Sequence, residues 1–201
     1  MAHIEWATFT DYTISPERSE APWRKKARNH APSHGDALHP SVEFSMLENY
    51  ILDICASEPG VADHWKYLFR KWKSAKGFAK SWKPELFVYG TQHHDVHSRY
   101  PTYHAVDCTD VDCRSINCTR EGREIFKRGG RSCHLQAHIV NQRATVRAIE
   151  SAMDVVIAGH QTIGFYCDHG KHRSAATCCL FQELCVCSSS ICSYRKRHYL
   201  C

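Results

Sequence analysis

Between residues 162 and 187 an apolar run, a glycine-bearing loop and a helix start follow one another directly: Gly164-Phe165-Tyr166-Cys167, then Asp168-His169-Gly170-Lys171-His172-Arg173, then Ser174-Ala175-Ala176-Thr177-Cys178-Cys179-Leu180-Phe181. A strand feeding a tight loop and a helix N-terminus confines the chain to a few architectures, and it builds an anion site. The first backbone N–H groups of the helix have no partner within it, and they converge with the positive end of its dipole. Lys171, His172 and Arg173 add side-chain charge. Arg173 can fork two parallel hydrogen bonds onto a phosphate, a geometry that lysine lacks. The segment reads as a phosphate-binding turn of residues 167–174, with His169 among its members.

The rest of the pattern supplies the layers. Leu86-Phe87-Val88-Tyr89-Gly90 reads as a buried strand ending in a turn, and Tyr103-His104-Ala105-Val106-Asp107 as a second strand leading into Asp110, Asp112 and Arg114. Val146, Ile149, Met153, Val156 and Ile157 recur at helical spacing over residues 142–159, where glycine closes the pattern. Strand 162–167 and helix 174–187 follow. Strands alternating with helices predict an α/β fold, a mostly parallel sheet with flanking helices. In such sheets ligands sit beyond the carboxyl ends of the strands, which is where Asp112 and Arg173 fall.

Upstream, Ser41 reads as an N-cap, with Leu47, Tyr50, Ile51, Ile54 and Cys55 on one stripe until Pro59-Gly60. Trp65, Leu68, Phe69, Trp72 and Ala79 make a second stripe, ringed by Lys66, Arg70, Lys71, Lys73, Lys76 and Lys80 and weakened at Gly77. This basic amphipathic helix suits either a core-docked element with a wet lysine face or a surface for RNA or membrane. Residues 1–40 are rich in charge, Pro and His, with Trp6 and Trp23 as the large anchors and a basic cluster at Arg24–Arg28, and they read as a mobile polar arm. The expected organisation is that arm, a helical N-terminal extension over 41–84, and an α/β domain over 85–201.

A net charge of +5 over 201 residues permits nucleic-acid contact without demanding it. No apolar run approaches the roughly 20 residues that span a bilayer. Residues 1–15 lack the basic and apolar regions of a signal peptide. The expectation is an intracellular, cytoplasmic chain without a membrane partner, so its 12 cysteines read as thiols rather than disulfides. No Cys-x-x-Cys pair occurs. Cys108, Cys113 and Cys118, the group His93, His94 and His97, and Cys133 and His134 with His138 are open either to metal or to ordinary packing. No metal and no cofactor is assigned.

Two families resemble the loop. Cys167, Gly170, Arg173 and Ser174 match the Cys-x-x-Gly-x-x-Arg-Ser loop of cysteine-dependent phosphatases. The run Gly170-Lys171-His172-Arg173-Ser174, with Cys167 three residues ahead, resembles the C-terminal domain of the RNase adapter protein RapZ. That family's loop reads Gly-Cys-Thr-Gly-Gly-Lys/Gln-His-Arg-Ser, and six of the eight positions from Cys to Ser match; Tyr166, Asp168 and His169 depart. Val111–Asn117 is similar to the family's Asp-x-Arg-x-x-x-Asn-Pro element, onto which Asp112 and Arg114 map, while the asparagine comes one residue early and the proline is missing. The resemblance spans roughly residues 103–185. The kinase-like half of RapZ, with its Gly-x-x-x-x-Gly-Lys-Ser/Thr loop, has no counterpart here.

The RapZ resemblance implies a non-catalytic binder of RNA or of a phosphorylated metabolite, with Cys167, His169, Gly170, Lys171, His172, Arg173, Ser174, Asp112 and Arg114 around the anion. The phosphatase resemblance implies Cys167 as nucleophile, Arg173 on the phosphoryl oxygens and Ser174 on the sulfur. That reaction needs a carboxylic acid for the leaving oxygen. Residues 125–149 contain no Asp or Glu, so the acid is unassigned. A third reading is a structural loop with Lys171 and Arg173 paired to Asp112 and Asp168. Arg195, Lys196 and Arg197, flanked by Tyr194 and Tyr199, interleave charge and aromatics as single-stranded RNA binders do, or else form a basic terminal strand.

Overall fold

The computed structural model describes residues 40–79, 84–91, 109–118, 133–170, 172–188 and 198–200. The arm of residues 1–39, the strand expected at 103–107, Cys108, the histidines at 93–97, Lys171 and Arg195–Arg197 lie outside them.

Four strands form one sheet in the order β2-β3-β1-β4: β1 (Glu85–Gly90), β2 (Thr109–Asp112), β3 (Thr162–Cys167) and β4 (His198–Leu200). Every pairing is parallel. The fold is therefore α/β. The helices are α1 (Pro40–Ile54), continued by a 3-10 turn at Cys55–Ser57, then α2 (Pro59–Ala79), α3 (Cys133–Val140), α4 (Arg143–Ile157) and α5 (Arg173–Ser188).

Local sequence explains most boundaries and corrects several expectations. Both α1 and α2 open on proline, whose missing N–H would be unpaired in the first turn anyway, so Ser41 lies inside α1 rather than capping it. Gly77 does not interrupt α2, because the packing of the preceding turns outweighs one poor helix former. At the end of α4 the N–H of Gly159 bonds to the Val156 carbonyl (2.9 Å) and that of His160 to the Val155 carbonyl (3.2 Å). This Schellman closure requires a left-handed residue, and Gly159 has φ +88°. Ile157, expected on the apolar stripe, is 38% exposed, since one residue step of about 100° turns it off the face on which Val156 is still buried. Helix α3 is not legible as periodicity, because its eight residues make barely two turns.

Alternation along the strands sorts the two faces. Val88, Val111 and Phe165, neighbours in register, are all buried; β1 and β3 lie against α5, and β2 lies against α4. α5 lies against β1, β3, α1, α3 and α4, and its residues 174–182 are buried on every side, so it is the central helix and its origin is tightly fixed. Phe165 and Trp72 both meet Phe181 (ring centroids 5.7 and 6.0 Å).

The stripe of α2 is core: Trp65, Leu68 and Phe69 are fully buried, and Trp65 stacks on Phe69 at 5.6 Å. Trp65 Nε1 donates to the Val140 carbonyl (2.9 Å), satisfying an end-of-helix acceptor of α3. The buried residues of α1 and α2 belong to the same apolar cluster as the sheet. On the outer face, Lys66 pairs with Asp63 (2.9 Å), Lys71 with Asp154 (2.5 Å) and Lys73 with Glu48 (2.6 Å). Much of the helix's positive charge is thus matched within the chain. Among the described residues no helix is long and apolar enough to cross a membrane.

Strand order also locates a crevice. From β1 the chain continues to β2, on the far side of β3; from β3 it continues to β4, on the far side of β1. Adjacent strands whose continuations run in opposite directions define a topological switch point, and ligands collect at its carboxyl end.

Candidate functional site

The residues at that switch point are the ends of β1 and β3, Gly90 and Cys167, which are partners in register. The loop after Cys167 folds back over Gly90. A Cβ on Gly90 would stand 2.6 Å from the His169 carbonyl carbon and 2.8 Å from the Gly170 nitrogen; one on Gly170 would stand 2.7 Å from both the Gly90 nitrogen and the Tyr89 carbonyl carbon. Gly170 also has φ +68°. Two backbones therefore touch where a side chain on either would hold them apart. On each flank a hydrogen bond extends the ladder: Thr91 N–H to the Cys167 carbonyl (3.0 Å) and Cys113 N–H to the Tyr166 carbonyl (2.9 Å).

This curl aims donors at one point. Cys167 is 2% exposed, and its sulfur lies 3.2 Å from Ser174 Oγ, with Ser174 fully buried at the start of α5. Burial pushes the Cys167 thiol up. The Ser174 hydroxyl and the backbone N–H groups of Ser174, Gly170 and His169 together outweigh it, and the thiol ends below its ordinary range. At two other thiols burial prevails: Cys55 is pushed up to about 11, and so is Cys118, there against the opposing charge of Arg173.

Arg173 starts α5 and is pinned by two acceptors. Its guanidinium donates to Asp168 Oδ2 within the loop and to the Arg114 carbonyl (2.5 Å) beyond β2. Asp112, the last residue of β2, takes Arg114 instead: Oδ1 accepts from the Arg114 N–H (2.8 Å) and Oδ2 from its terminal nitrogen (2.7 Å). That bonding to Arg114 holds the Asp112 carboxyl below the usual carboxylate range. The Arg114 guanidinium covers the Tyr166 ring at 5.2 Å, and Tyr166 in turn stacks on Tyr89 (5.4 Å). Asp112 and Arg173 are thus linked through Arg114 rather than by direct contact.

Of the expected site residues, Cys167, Gly170, Arg173 and Ser174 form the curl, and Asp112 and Arg114 stand beside it. His169 is exposed at its rim, and the His172 carbonyl accepts the Ala176 N–H (2.8 Å), opening α5. The Arg173–Asp168 pair is the one a structural loop would make; the expected alternative, Asp112, is engaged elsewhere. The backbone of Asn117 pairs with the Gln142 side chain (2.8 and 2.7 Å). Among the described residues no group of three His, Cys, Asp or Glu side chains converges as metal ligands would.

In the sequence Gly90 reads only as a strand end; the signal that finds its role is a glycine closing a strand whose parallel neighbour carries a glycine loop. A shallow depression along α4, lined by Arg147, Glu150, Asp154 and His160, belongs to a different element, and its carboxylates serve His64 and Lys71. No protein-family model, curated protein or solved structure matches this chain.

Proposed function

We propose that the 167–174 loop binds a phosphate group without turning it over, as in a RapZ C-terminal-like domain holding RNA or a phosphorylated metabolite. The observation that carries this reading is the convergence of three backbone N–H groups and the Ser174 hydroxyl on one buried, anion-favouring position at the start of α5. Donors that hold a sulfur anion against burial suit an oxyanion equally well. Asp168 holds the Arg173 guanidinium at the mouth of the loop, and a phosphate must displace that carboxylate to take it. The choice between RNA and a metabolite turns on Arg195–Arg197, which would add backbone contacts to RNA.

The depressed thiol of Cys167, six residues ahead of Arg173, favours a second reading as a cysteine-dependent phosphatase. Against it, Arg114 keeps Asp112 ionised, the wrong state for a leaving-group acid, and Asp168 is tied to Arg173.

Phosphate should raise the melting temperature. At about a hundredfold over its dissociation constant the gain is roughly 2.7 kcal/mol, which for a chain of this size is on the order of 5–10 °C. Arg173→Ala should keep the fold and lose that shift. A shift that survives Arg173→Ala would sink the assignment. Turnover of p-nitrophenyl phosphate that Cys167→Ser abolishes would put the phosphatase first.

A further inference from the structure

Two cysteines meet at the floor of the loop. Asp112 on β2 is in register with Tyr166 on β3, and the Cys113 N–H bonds to the Tyr166 carbonyl (2.9 Å), carrying the ladder one step further. Cys113 is therefore the cross-strand neighbour of Cys167. Adjacent strands lie about 4.8 Å apart, within the roughly 4.4–6.8 Å between Cα atoms that a disulfide bridges. The side chains also share a face. Asp110 and Asp112 point outward, whereas Val111 and Cys113 are buried, as are Phe165 and Cys167. Cys113 meets the Thr177 hydroxyl and Cys167 the Ser174 hydroxyl, one turn apart on α5. Both sulfurs thus look toward the same strip of that helix.

We propose that Cys113 is the resolving thiol of Cys167, so that hydroperoxides switch the loop off by closing a reversible Cys113–Cys167 disulfide. The Cys167 thiolate attacks a hydroperoxide oxygen: an S–O bond forms, the O–O bond breaks, and the leaving oxygen takes a proton to become an alcohol, or water from hydrogen peroxide. The Cys113 sulfur then attacks the Cys167 sulfenic acid. An S–S bond forms, the S–O bond breaks, and the departing hydroxide leaves as water with the proton Cys113 gives up. Two thiols supply the two electrons that reduce one hydroperoxide.

The order follows from the environments. Loop donors favour the anion at Cys167, while burial keeps Cys113 a thiol. Closing the bond draws the sulfur toward β2 and out of the donor array. The loss of anion binding rests on the phosphate reading above; the disulfide does not.

The fully reduced chain is treated with equimolar hydrogen peroxide, quenched with a thiol alkylator and mapped by non-reducing tryptic mass spectrometry. The Cys167 peptide ends at Lys171, the Cys113 peptide at Arg114 and the Cys118 peptide at Arg120. Fragmentation separates Cys113 from Cys108 in the same peptide. Most oxidised Cys167 should be linked to Cys113 and be recovered by dithiothreitol. Cys118→Ala should leave the link intact, and Cys113→Ala should divert Cys167 to sulfinic acid. Cys167 linked to any other cysteine, or sulfinic acid accumulating in the unmodified chain, overturns the proposal whether or not Cys113→Ala folds. The phosphate-induced melting shift should vanish on oxidation and return on reduction. A shift without the Cys113 link removes this inference and leaves the phosphate reading standing; a link without any shift in the reduced chain does the reverse.

Discussion

Three glycine-to-alanine substitutions separate two effects that the loop combines. Gly159 has φ +88° and nothing within 4 Å of its added Cβ; Gly90 has contacts of 2.6 and 2.8 Å with backbone atoms but no positive φ; Gly170 has both, with φ +68° and 2.7 Å approaches. Left-handed backbone costs an alanine roughly 1–2 kcal/mol, and the less flexible unfolded chain returns about 0.4–1 kcal/mol, so Gly159→Ala should destabilise by no more than about 1.6 kcal/mol. Gly90→Ala must push the β1 end and the loop backbone apart, an overpacking cost of about 1–3 kcal/mol, and should retain its phosphate response only weakly because the loop is lifted. Gly170→Ala carries both terms, about 2–5 kcal/mol before the unfolded-state return. Urea titration followed by tryptophan fluorescence, to which the buried Trp65 and Trp72 contribute, measures each, with an unchanged slope as the condition for comparing midpoints. A Gly90→Ala midpoint as mild as that of Gly159→Ala would refute the backbone-on-backbone contact, and with it the shape of the loop.

Two further outcomes follow from the loop's charges. Asp168→Asn releases Arg173 from its internal anion, so phosphate affinity should rise severalfold while stability changes by no more than about 1 kcal/mol, as for a partly exposed pair; calorimetric titration finding no gain would mean that Arg173 does not face the ligand. The Cys167 thiol has a folded pKa below its reference of 9.0, so its contribution to stability is present above that reference and is lost as pH falls through the folded value. Iodoacetamide at a pH of about 7.5 should therefore modify Cys167 before Cys55 or Cys118, both pushed up to about 11, and Ser174→Ala should shift the Cys167 rate profile to higher pH. Equal rates at the three cysteines would remove the case for a donor-stabilised sulfur.

The strand-loop-helix over 162–187 was legible because its signals are local. Apolar run, glycine and helix start each act over a few residues, and the strand Thr162–Cys167 lies where the sequence puts it. The stripes of α2 and α4 were legible for the same reason, since a helix must bury one face whatever covers it. Contacts distant in sequence were not. That α5 is the central helix depends on being enclosed by α1, α3, α4 and the sheet. Gly90 matters only because Gly170, eighty residues on, folds onto it. Arg173 was open to Asp112 or Asp168; Arg114, two residues on, takes Asp112, and the contact no local pattern shows is the one from Arg173 to the Arg114 carbonyl beyond β2. Composition and spacing determine which groups can bind an anion. Strand order decides which of them meet at the switch point, because register brings together residues that no local pattern connects.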